Sequence, residues 1–428
     1  MPLNILVVGA GICGPAFATL MQRANPKHTI TVLERHPTLR ATGQQIDLKL
    51  QGPTIARKMG VLDTINAHRV VETGFQIENS RRQPIAHFGV SDYPDEKDRP
   101  NFLSECEIMR GDLVQTFYDA SVDLSAKLDK HRGEGGGLKY EFGKTISELT
   151  QNEDGVDVTF TDGQERRFDL VVGADGQWSK TRRLAFGQAV NDQAFQSLNV
   201  FAAYYTIPHE AGDEGVARSC LVPGAKGMVT RPGKNPATTQ AWLFTMKNTE
   251  HLKRLNKEPL ATQKSAWIDM FKDAGWQSDR LLRGLKTSND FYGHELAQVK
   301  MDALHKGRVV LVGDAGFCTS VFTGMGTTAS LVGSYVLAGE LARHGNDVGT
   351  ALQGYEKTMR GPIDEWMKLS GSWSPSTMPS SRLAIWAMEN VLWAVNGLGI
   401  LRLMGGMGAG ETKVAWKLPE YPELNLKE

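Results

Sequence analysis

Two patterns of apolar and polar positions alternate along the chain, and together they predict a mixed α/β fold. The run Ile5-Leu6-Val7-Val8 is short, apolar and β-branched, as in a buried parallel strand. Good helix formers follow at residues 15–21, and a second apolar run occupies residues 29–33. This strand–helix–strand order predicts a βαβ unit at the start of the chain.

The alternation typical of antiparallel strands appears in two later stretches, residues 71–104 and 186–294. Within the second stretch, residues 199–205 and 239–245 alternate apolar and polar side chains, so we expect both to be strands of one antiparallel sheet. The short apolar run typical of a buried parallel strand then returns at residues 307–315, which are predicted to form a buried strand ending in Gly-Asp. The βαβ-type domain is therefore predicted to be interrupted twice.

These changes of pattern predict a Rossmann-like domain, a domain built on an antiparallel sheet and a C-terminal helical segment. The Rossmann-like domain is predicted to comprise residues 1–70, 105–185 and 295–365. The antiparallel-sheet domain is predicted to comprise residues 71–104 and 186–294, and the C-terminal segment residues 366–428.

Several local elements can also be predicted. Residues 155–160 and 167–172 flank an Asp-Gly turn and are expected to form one hairpin. A helix is expected to begin at residue 107 and to run to Leu128. Another should follow the Gly-rich stretch that starts at Thr323 and continue through Leu341.

The strongly apolar residues 383–404 have nearly the length needed to cross a bilayer. The polar residues Glu389, Asn390 and Arg402 argue against a membrane span. We therefore expect a packed C-terminal helix or an interface, with membrane contact as the alternative.

Composition narrows the class of protein. The 428 residues include 48 basic and 48 acidic side chains, so no strong charge indicates nucleic acid or a membrane surface as a partner. The first strand begins too early to leave room for a signal peptide, and a cytoplasmic protein is expected. Ten histidines show no ligand spacing, so we expect no metal site. The four cysteines, which show no C-x-x-C pair, are Cys13, Cys106, Cys220 and Cys318.

The first strand leads into Gly9-x-Gly11-x-x-Gly14, and Glu34 closes the second strand. In this context Gly9 makes a tight turn, Gly11 lets the backbone approach a pyrophosphate, and Gly14 allows close helix–strand packing. The helix N-terminus offers N–H groups to phosphates, and a carboxylate at Glu34 can accept the ribose hydroxyls of an adenosine. The sequence therefore predicts dinucleotide binding.

Two further motifs accompany this turn: residues 169–176, which include Asp175, and Gly313-Asp314 followed by Gly324-x-Gly326. Asp314 follows a buried strand and could simply cap the next helix. Arg110 could be a solvated helix residue, and Asp47 could only anchor its own turn. Cys13 and Cys318 are expected to be small buried apolar residues.

The order and spacing of the three motifs resemble the class A, single-component FAD-dependent aromatic monooxygenases of the para-hydroxybenzoate hydroxylase-like fold. The run 40–47, the helix start at 107–114 and residues 313–318 look closest to the tetracycline-inactivating and polyketide-hydroxylating branch. One departure is the absence of the prolines that the family usually carries after Gly-Asp-Ala.

The resemblance implies roles for individual residues. Glu34 would hold the adenosine ribose, Arg110 the pyrophosphate or ribityl region, and Asp314 the ribityl chain. Arg40 matches a position implicated with the nicotinamide coenzyme. The residues expected to contact FAD are Gly9, Gly11, Gly14, Glu34, Arg35, Asp47, Arg110, Asp175, Asp314, Gly324, Gly326 and Thr327.

The substrate pocket should lie between the sheet of residues 186–294 and the flavin, and an aromatic wall there would suit a flat polycyclic compound. The alternative is that these aromatic residues belong to an ordinary sheet core. Candidate lining residues are Phe201, Tyr204, Tyr205, Trp242, Phe244 and Phe322, with Gln44 or Gln45 on the other wall. Of these we favour Gln45, Tyr204, Trp242 and Phe322.

By this likeness NADPH or NADH reduces FAD, O2 adds to the flavin as a C4a-hydroperoxide, and an OH group passes to an aromatic or polyketide-like small molecule. A tetracycline-type antibiotic is one candidate substrate. The alternatives are a flavin oxidase or dehydrogenase without oxygen transfer, and a non-catalytic FAD-binding protein. No nucleic-acid partner is expected, and the protein should be a monomer or a weak dimer.

Overall fold

The computed structural model describes residues 1–40, 43–93, 100, 103, 107–130, 135–345, 347–369, 378–398 and 416–426. Cys106 and residues 399–404, which the sequence analysis singled out, lie outside the described residues. The α-helices in the described part of the chain are α1 Cys13–Ala24, α2 Gln51–Met59, α3 Leu62–Ala67, α4 Arg110–Asp129, α5 Lys180–Phe186, α6 Gln188–Ala194, α7 Thr249–Leu255, α8 Leu260–Phe271, α9 Ser278–Thr287, α10 Asp314–Phe317, α11 Gly326–His344, α12 Val348–Trp366 and α13 Arg382–Gly397. The strands are β1 Asn4–Val8, β2 Thr29–Glu34, β3 Gln45–Asp47, β4 Gly74–Glu78, β5 Pro84–Gly89, β6 Glu107–Met109, β7 Gly137–Phe142, β8 Ile146–Gln151, β9 Val156–Phe160, β10 Glu165–Phe168, β11 Leu170–Gly173, β12 Phe195–Pro208, β13 Val216–Val222, β14 Lys226–Pro232, β15 Thr238–Thr245, β16 Tyr292–Val299, β17 His305–Lys306 and β18 Val309–Leu311.

A six-stranded sheet carries the first glycine turn. Its order is β17-β18-β11-β1-β2-β7, and every neighbouring pair is parallel except β17 with β18. The apolar run Ile5–Val8 is buried because β1 lies at the centre of this sheet, where both faces are covered. The buried helices α1 and α11 pack against each other. The predicted α/β fold class is confirmed.

The predicted hairpin of residues 155–172 is only partly correct. Strands β9 and β10 form an antiparallel pair, and β8 joins them in a three-stranded sheet. The chain then changes sheets at Asp169, whose carboxylate accepts a 2.6 Å hydrogen bond from the Asn4 N–H. Residues 170–173 consequently pair in parallel with β1. The sequence pattern predicts one strand over residues 167–172. The hydrogen bond between Asp169 and the distant Asn4 divides it into β10 and β11.

The other large sheet has the order β16-β12-β15-β14-β13-β4-β5, and it is antiparallel except between β13 and β4. Residues 199–205 and 239–245 pair with each other as the alternation predicts. Helices α8 and α9 cover one face of this sheet. The opposite face carries Tyr204 and Trp242 and is turned towards the first glycine turn.

A two-stranded ribbon joins β3 to β6, and it corrects the predicted helix start at residue 107. Residues 107–109 are extended because they pair with β3, and the Glu107 carbonyl accepts a hydrogen bond from the Val70 N–H. Helix α4 begins only at Arg110. The ribbon thus sets Gln45 opposite Met109 and Asp47 opposite Glu107.

The two described parts of the predicted C-terminal segment have different neighbours. Helix α13 lies against β5 and β13, while Leu383, Trp386 and Trp393 remain largely exposed. Residues 416–426 instead pack on α1 and α11, where Tyr421 donates a hydrogen bond to Glu340. Across the described residues, no helix combines the length and the apolar character that a membrane crossing requires.

Candidate active site

The first glycine turn packs directly against the loop that follows β11. Gly9 has a φ of +113°, and a Cβ built on it would lie 2.4 Å from the Ala174 carbonyl oxygen. A Cβ on Gly14 would lie 2.1 Å from the Gly9 carbonyl oxygen. Neither position can carry a side chain, so both glycines are needed for this turn.

The Glu34 side chain braces the turn from the end of β2. One carboxylate oxygen accepts a 3.2 Å hydrogen bond from the Ala10 N–H, and the other accepts a 3.0 Å bond from the His36 N–H. A Cβ built on Gly11 would lie 4.0 Å from Arg110 Nη2. Arg110, at the start of α4, therefore brings a guanidinium next to the glycine turn.

The late Gly-Asp segment reaches the same region from the other side of the sheet. Asp314 opens the short helix α10 directly after β18, and Gly326 and Thr327 open α11. Burial raises the pKa of Asp314, although Cys318 and the Arg110 charge act in the opposite direction. Because Asp314 and the N-terminus of α11 face the cavity described next, this segment can contact a ligand bound there.

One cavity of about 460 Å³ is lined by many, but not all, of the predicted site residues. It lies between the large antiparallel sheet and the N-terminus of α11, and Ile12 of the glycine turn lines it as well. The sequence-predicted residues that line it are Gln44, Gln45, Asp47, Arg110, Tyr204, Trp242, Phe244, Asp314, Phe322, Gly324, Gly326 and Thr327.

An aromatic cluster forms the sheet wall of this cavity. The Tyr204 ring lies 5.3 Å from Trp242, 5.2 Å from Tyr292 and 5.6 Å from His294, measured between centroids. The Tyr292 hydroxyl donates a hydrogen bond to Gln44, which belongs to the opposite wall. The aromatic groups are thus held in place by contacts with one another and by the hydrogen bond to Gln44, which directly precedes β3.

The expectation that Phe201 and Tyr205 line the pocket is wrong. Successive side chains of a strand point to opposite faces, so these two residues point away from Tyr204. They pack in the core under α8 and α9, where the Tyr205 hydroxyl bonds to the Leu281 carbonyl.

Arg40 lies beside the aromatic cluster. Its guanidinium carbon is 5.1 Å from the centre of the Tyr292 ring. Burial lowers the pKa of Arg40, and the nearby charge of Arg110 lowers it further. Two neighbouring guanidinium groups make this region attractive to anions.

Two predicted cofactor residues have other surroundings. Asp175 accepts hydrogen bonds from the Ser179 hydroxyl at 2.5 Å and from Thr181, through its N–H at 2.9 Å and its hydroxyl at 3.0 Å. Its carboxylate thereby braces the loop before α5. Arg35 is exposed, and it is not among the residues that line the cavity.

Several charged and polar residues of the site are not predicted from the sequence. Arg231 and His294 line the cavity, and Glu72 and Glu107 bind Arg231 from behind. Burial, reinforced by the charges of Arg40 and Arg110, lowers the pKa of His294 to about 4, so this ring is neutral at neutral pH. The alternation along β14 could have placed Arg231 on one face with Val229, but its two partners come from distant segments.

These residues fit a flavin dinucleotide. Helices α1 and α11 both begin without a side-chain cap and without an acidic residue in the first turn, among the residues described. Their N–H groups and positive dipole ends are therefore available to phosphates and to a negatively charged ring. A Cβ built on Gly11 would meet only Arg110 Nη2, at 4.0 Å, so the backbone of the turn is open there to the approach of a dinucleotide.

Comparison with known proteins gives a consistent result. A family model described as FAD binding domain matches residues 3–360. Two FAD-dependent monooxygenases of Sarocladium schorii are similar over the whole chain: one is 40% identical over 100% of both chains, and the other is 34% identical over 100% of this chain and 99% of its own. The crystal structure of tetracycline destructase Tet(51) matches with a TM-score of 0.73 and 26% identity, covering 98% of this chain and 100% of that chain.

Proposed function

This chain belongs to the FAD binding domain family and is an FAD-dependent monooxygenase, and on that premise we propose how it acts. It takes electrons from NADPH or NADH and adds one atom of O2 to an aromatic or polycyclic, polyketide-like small molecule. The resemblance to class A flavoprotein monooxygenases is confirmed at the level of the family. The substrate and the electron donor are our proposal.

The observation that carries the proposal is the composition of one cavity. Its α11 side presents Asp314, Gly326 and Thr327, and its sheet side presents Tyr204 and Trp242. A flavin ring would be held at the first side and a flat substrate against the second, both within this one cavity. The cavity walls are largely apolar, which suits a reaction that must keep water away from the transferred oxygen.

Bound FAD would supply the electron transfer and the activation of O2, which no protein side chain provides. Helix α11 would stabilise negative charge on the ring through its N-terminal N–H groups. Asp314 would accept a hydrogen bond from the ribityl chain. Glu34 would accept one from the adenosine ribose.

The aromatic wall would orient the substrate. Tyr204 and Trp242 meet edge to face, so a flat ring can stack on one of them while its edge contacts the other. If the reacting carbon is held at a fixed distance from the cofactor, the bimolecular step becomes effectively unimolecular, which lowers its entropic cost. Phe322, next to the start of α11, would close the wall near the flavin.

We place the nicotinamide coenzyme near Arg40. The adjacent guanidinium groups of Arg40 and Arg110 attract the phosphates of a dinucleotide. The sequence-based expectations of a cytoplasmic location and of a monomer or weak dimer enter this proposal unchanged.

The test is coenzyme consumption coupled to product analysis. Purified protein loaded with FAD is given NADPH or NADH under air with phenols, anthraquinones and tetracyclines, the last because a related structure is a tetracycline destructase. We expect substrate-dependent coenzyme oxidation and a product heavier by one oxygen atom. Turnover with an artificial acceptor under anaerobic conditions, without an oxygenated product in air, would instead identify an oxidase or dehydrogenase.

A further inference from the structure

Arg231 is a buried cation in the sheet wall of the cavity. Its Nη2 lies 2.7 Å from Glu72 Oε1 and 2.5 Å from Glu107 Oε2, and its Nε lies 2.9 Å from Glu72 Oε2. The three side chains are 9%, 2% and 1% exposed for Arg231, Glu72 and Glu107. Two carboxyl groups therefore face one guanidinium inside the wall.

This cluster has no net positive charge in any protonation state of Glu107. With Glu107 neutral, Glu72 balances Arg231; with Glu107 ionised, the cluster is negative. The guanidinium carbon also lies 4.9 Å from the centre of the Trp242 ring, which covers one of its faces. Arg231 is thus fully engaged by the protein itself.

The other charged residues of the cavity wall give no substitute near Arg231. Among the described residues that line the cavity, the only other arginine or lysine is Arg110, which lies beside Gly11 and Gly43 at the cofactor end. Asp47 and Asp314 are acidic. The His294 ring is neutral at neutral pH.

What the wall offers instead is uncharged polar groups. Within the described part of the chain, Gln45 Oε1, Trp242 Nε1 and His294 Nδ1 are buried and have no hydrogen-bond partner. The Gln45 amide N–H₂ donates to Glu107, which fixes its carbonyl as an acceptor. The wall therefore holds one fixed acceptor and one indole donor, which match a hydroxyl and a carbonyl of a ligand.

We propose that the wall formed by Gln45, Arg231 and Trp242 selects an aromatic substrate that is uncharged where it meets this wall and rejects one that carries a carboxylate there. The inference rests on the proposed function, since it concerns the substrate of the same cavity. The chemical class it names is a phenol or quinone whose hydroxyl and carbonyl groups, rather than an acid group, are recognised.

The physical reason is desolvation. A carboxylate leaving water must find compensating positive charge, and here two glutamates already use the available guanidinium. A hydroxyl or carbonyl loses less hydration and can bond to Gln45 or Trp242. We expect about 10-fold or greater preference for the uncharged partner of a matched pair.

The test uses the FAD-loaded enzyme and two dihydroxyanthraquinones, aloe-emodin and rhein. These differ only in a hydroxymethyl group against a carboxylate. Equilibrium dialysis with chromatographic quantification gives the dissociation constant of each. Tighter binding of aloe-emodin supports the inference, whereas equal binding, tighter binding of rhein, or binding of neither compound overturns it.

The charge argument is tested by the double variant Glu72→Gln/Glu107→Gln, which keeps the shapes of the two residues bonded to Arg231 and removes both negative charges that face it. We expect the preference for aloe-emodin over rhein to fall several-fold towards 1. The matched control is Glu78→Gln, a buried glutamate of the same sheet that pairs with Arg218 at 3.4 Å outside the cavity, and it should keep the wild-type ratio. If the double variant does not retain FAD, the wild-type ratio decides alone.

The outcomes separate this inference from the proposed function. Preferential binding of aloe-emodin without any oxygenated product from the wider substrate panel would support the selectivity and contradict the monooxygenase proposal. Oxygenation of substrates from the panel, together with equal binding of both anthraquinones, would support the monooxygenase proposal and contradict the selectivity.

Discussion

Tyr204 and Trp242 are directly paired across strands β12 and β15, and their rings meet edge to face with centroids 5.3 Å apart. The pair forms the centre of the wall on which we place the substrate. The Trp242 indole also covers the Arg231 guanidinium. Trp242 therefore lies between the proposed substrate position and the cluster of Arg231, Glu72 and Glu107.

Replacing Trp242 with alanine should weaken substrate binding by about 10-fold or more, because it removes both the stacking surface and the indole donor. FAD binding should change little, since Trp242 lies on the sheet side of the cavity. The measurement is KM for the substrate, with FAD content read from visible absorbance. Trp386→Ala, which removes an exposed indole from α13, is the control and should leave KM unchanged. An unchanged KM for Trp242→Ala would contradict the assignment.

Replacing Asp314 with asparagine should weaken FAD binding by about 10- to 100-fold, the range expected for losing one charge-assisted hydrogen bond. The side chains have the same shape, so the fold should persist. Isothermal titration of the apoprotein with FAD measures the effect. Asp302→Asn, an exposed position nearby in sequence, provides the comparison. Wild-type affinity in Asp314→Asn would contradict a hydrogen bond between this carboxylate and FAD.

Replacing Arg40 with methionine should raise KM for NADPH or NADH while leaving substrate affinity nearly unchanged, because it removes one of two adjacent cations without shortening the side chain greatly. We expect a change of about 10-fold, and a weaker salt dependence of coenzyme binding. Arg40→Lys keeps the charge and should recover part of the loss. Equal effects of both substitutions on substrate KM would place Arg40 at the substrate instead.

Glu107 should make stability depend on pH. Burial raises its pKa to about 8, with Asp47 and Glu72 acting in the same direction and Arg231 in the opposite one. Its folded-state pKa lies above its ordinary value, so between the two the folded chain holds a proton that the unfolded chain has released. The free energy of unfolding therefore falls as pH rises through this window.

Glu107→Gln cannot ionise and should gain stability relative to the wild type as the pH rises from about 4.5 to about 8. Thermal melting of both proteins across this range gives the difference. Asp47, one of the groups that raise the pKa of Glu107, pairs with Lys49 at 3.1 Å. A constant difference between the two proteins would show that folding does not raise the pKa of Glu107.

Local patterns were sufficient to predict much of this architecture. The glycine turn, the strand that ends at Glu34 and the antiparallel pairing of residues 199–205 with 239–245 follow from short stretches of sequence and are present. The same alternation, however, does not say which face of a strand looks inwards. The pattern alone therefore does not separate Phe201 and Tyr205, which lie in the core under α8 and α9, from Tyr204, which lines the cavity.

The errors and omissions occur where distant segments meet. Asp169 divides an apolar run because it bonds to Asn4, and residues 107–109 are extended because β3 lies beside them. The Arg231 cluster combines three segments that share no local pattern. Such contacts depend on tertiary packing, which overrides local propensity.

The contact between Gly9 and the Ala174 carbonyl has a consequence for how the protein is made. During translation the first strand, helix and second strand leave the ribosome long before β11, which supplies the wall against which the glycine turn closes. The nascent N-terminal segment therefore lacks the contact that closes the glycine turn. The cofactor can bind only after β11 has paired with β1 on the side opposite to β2.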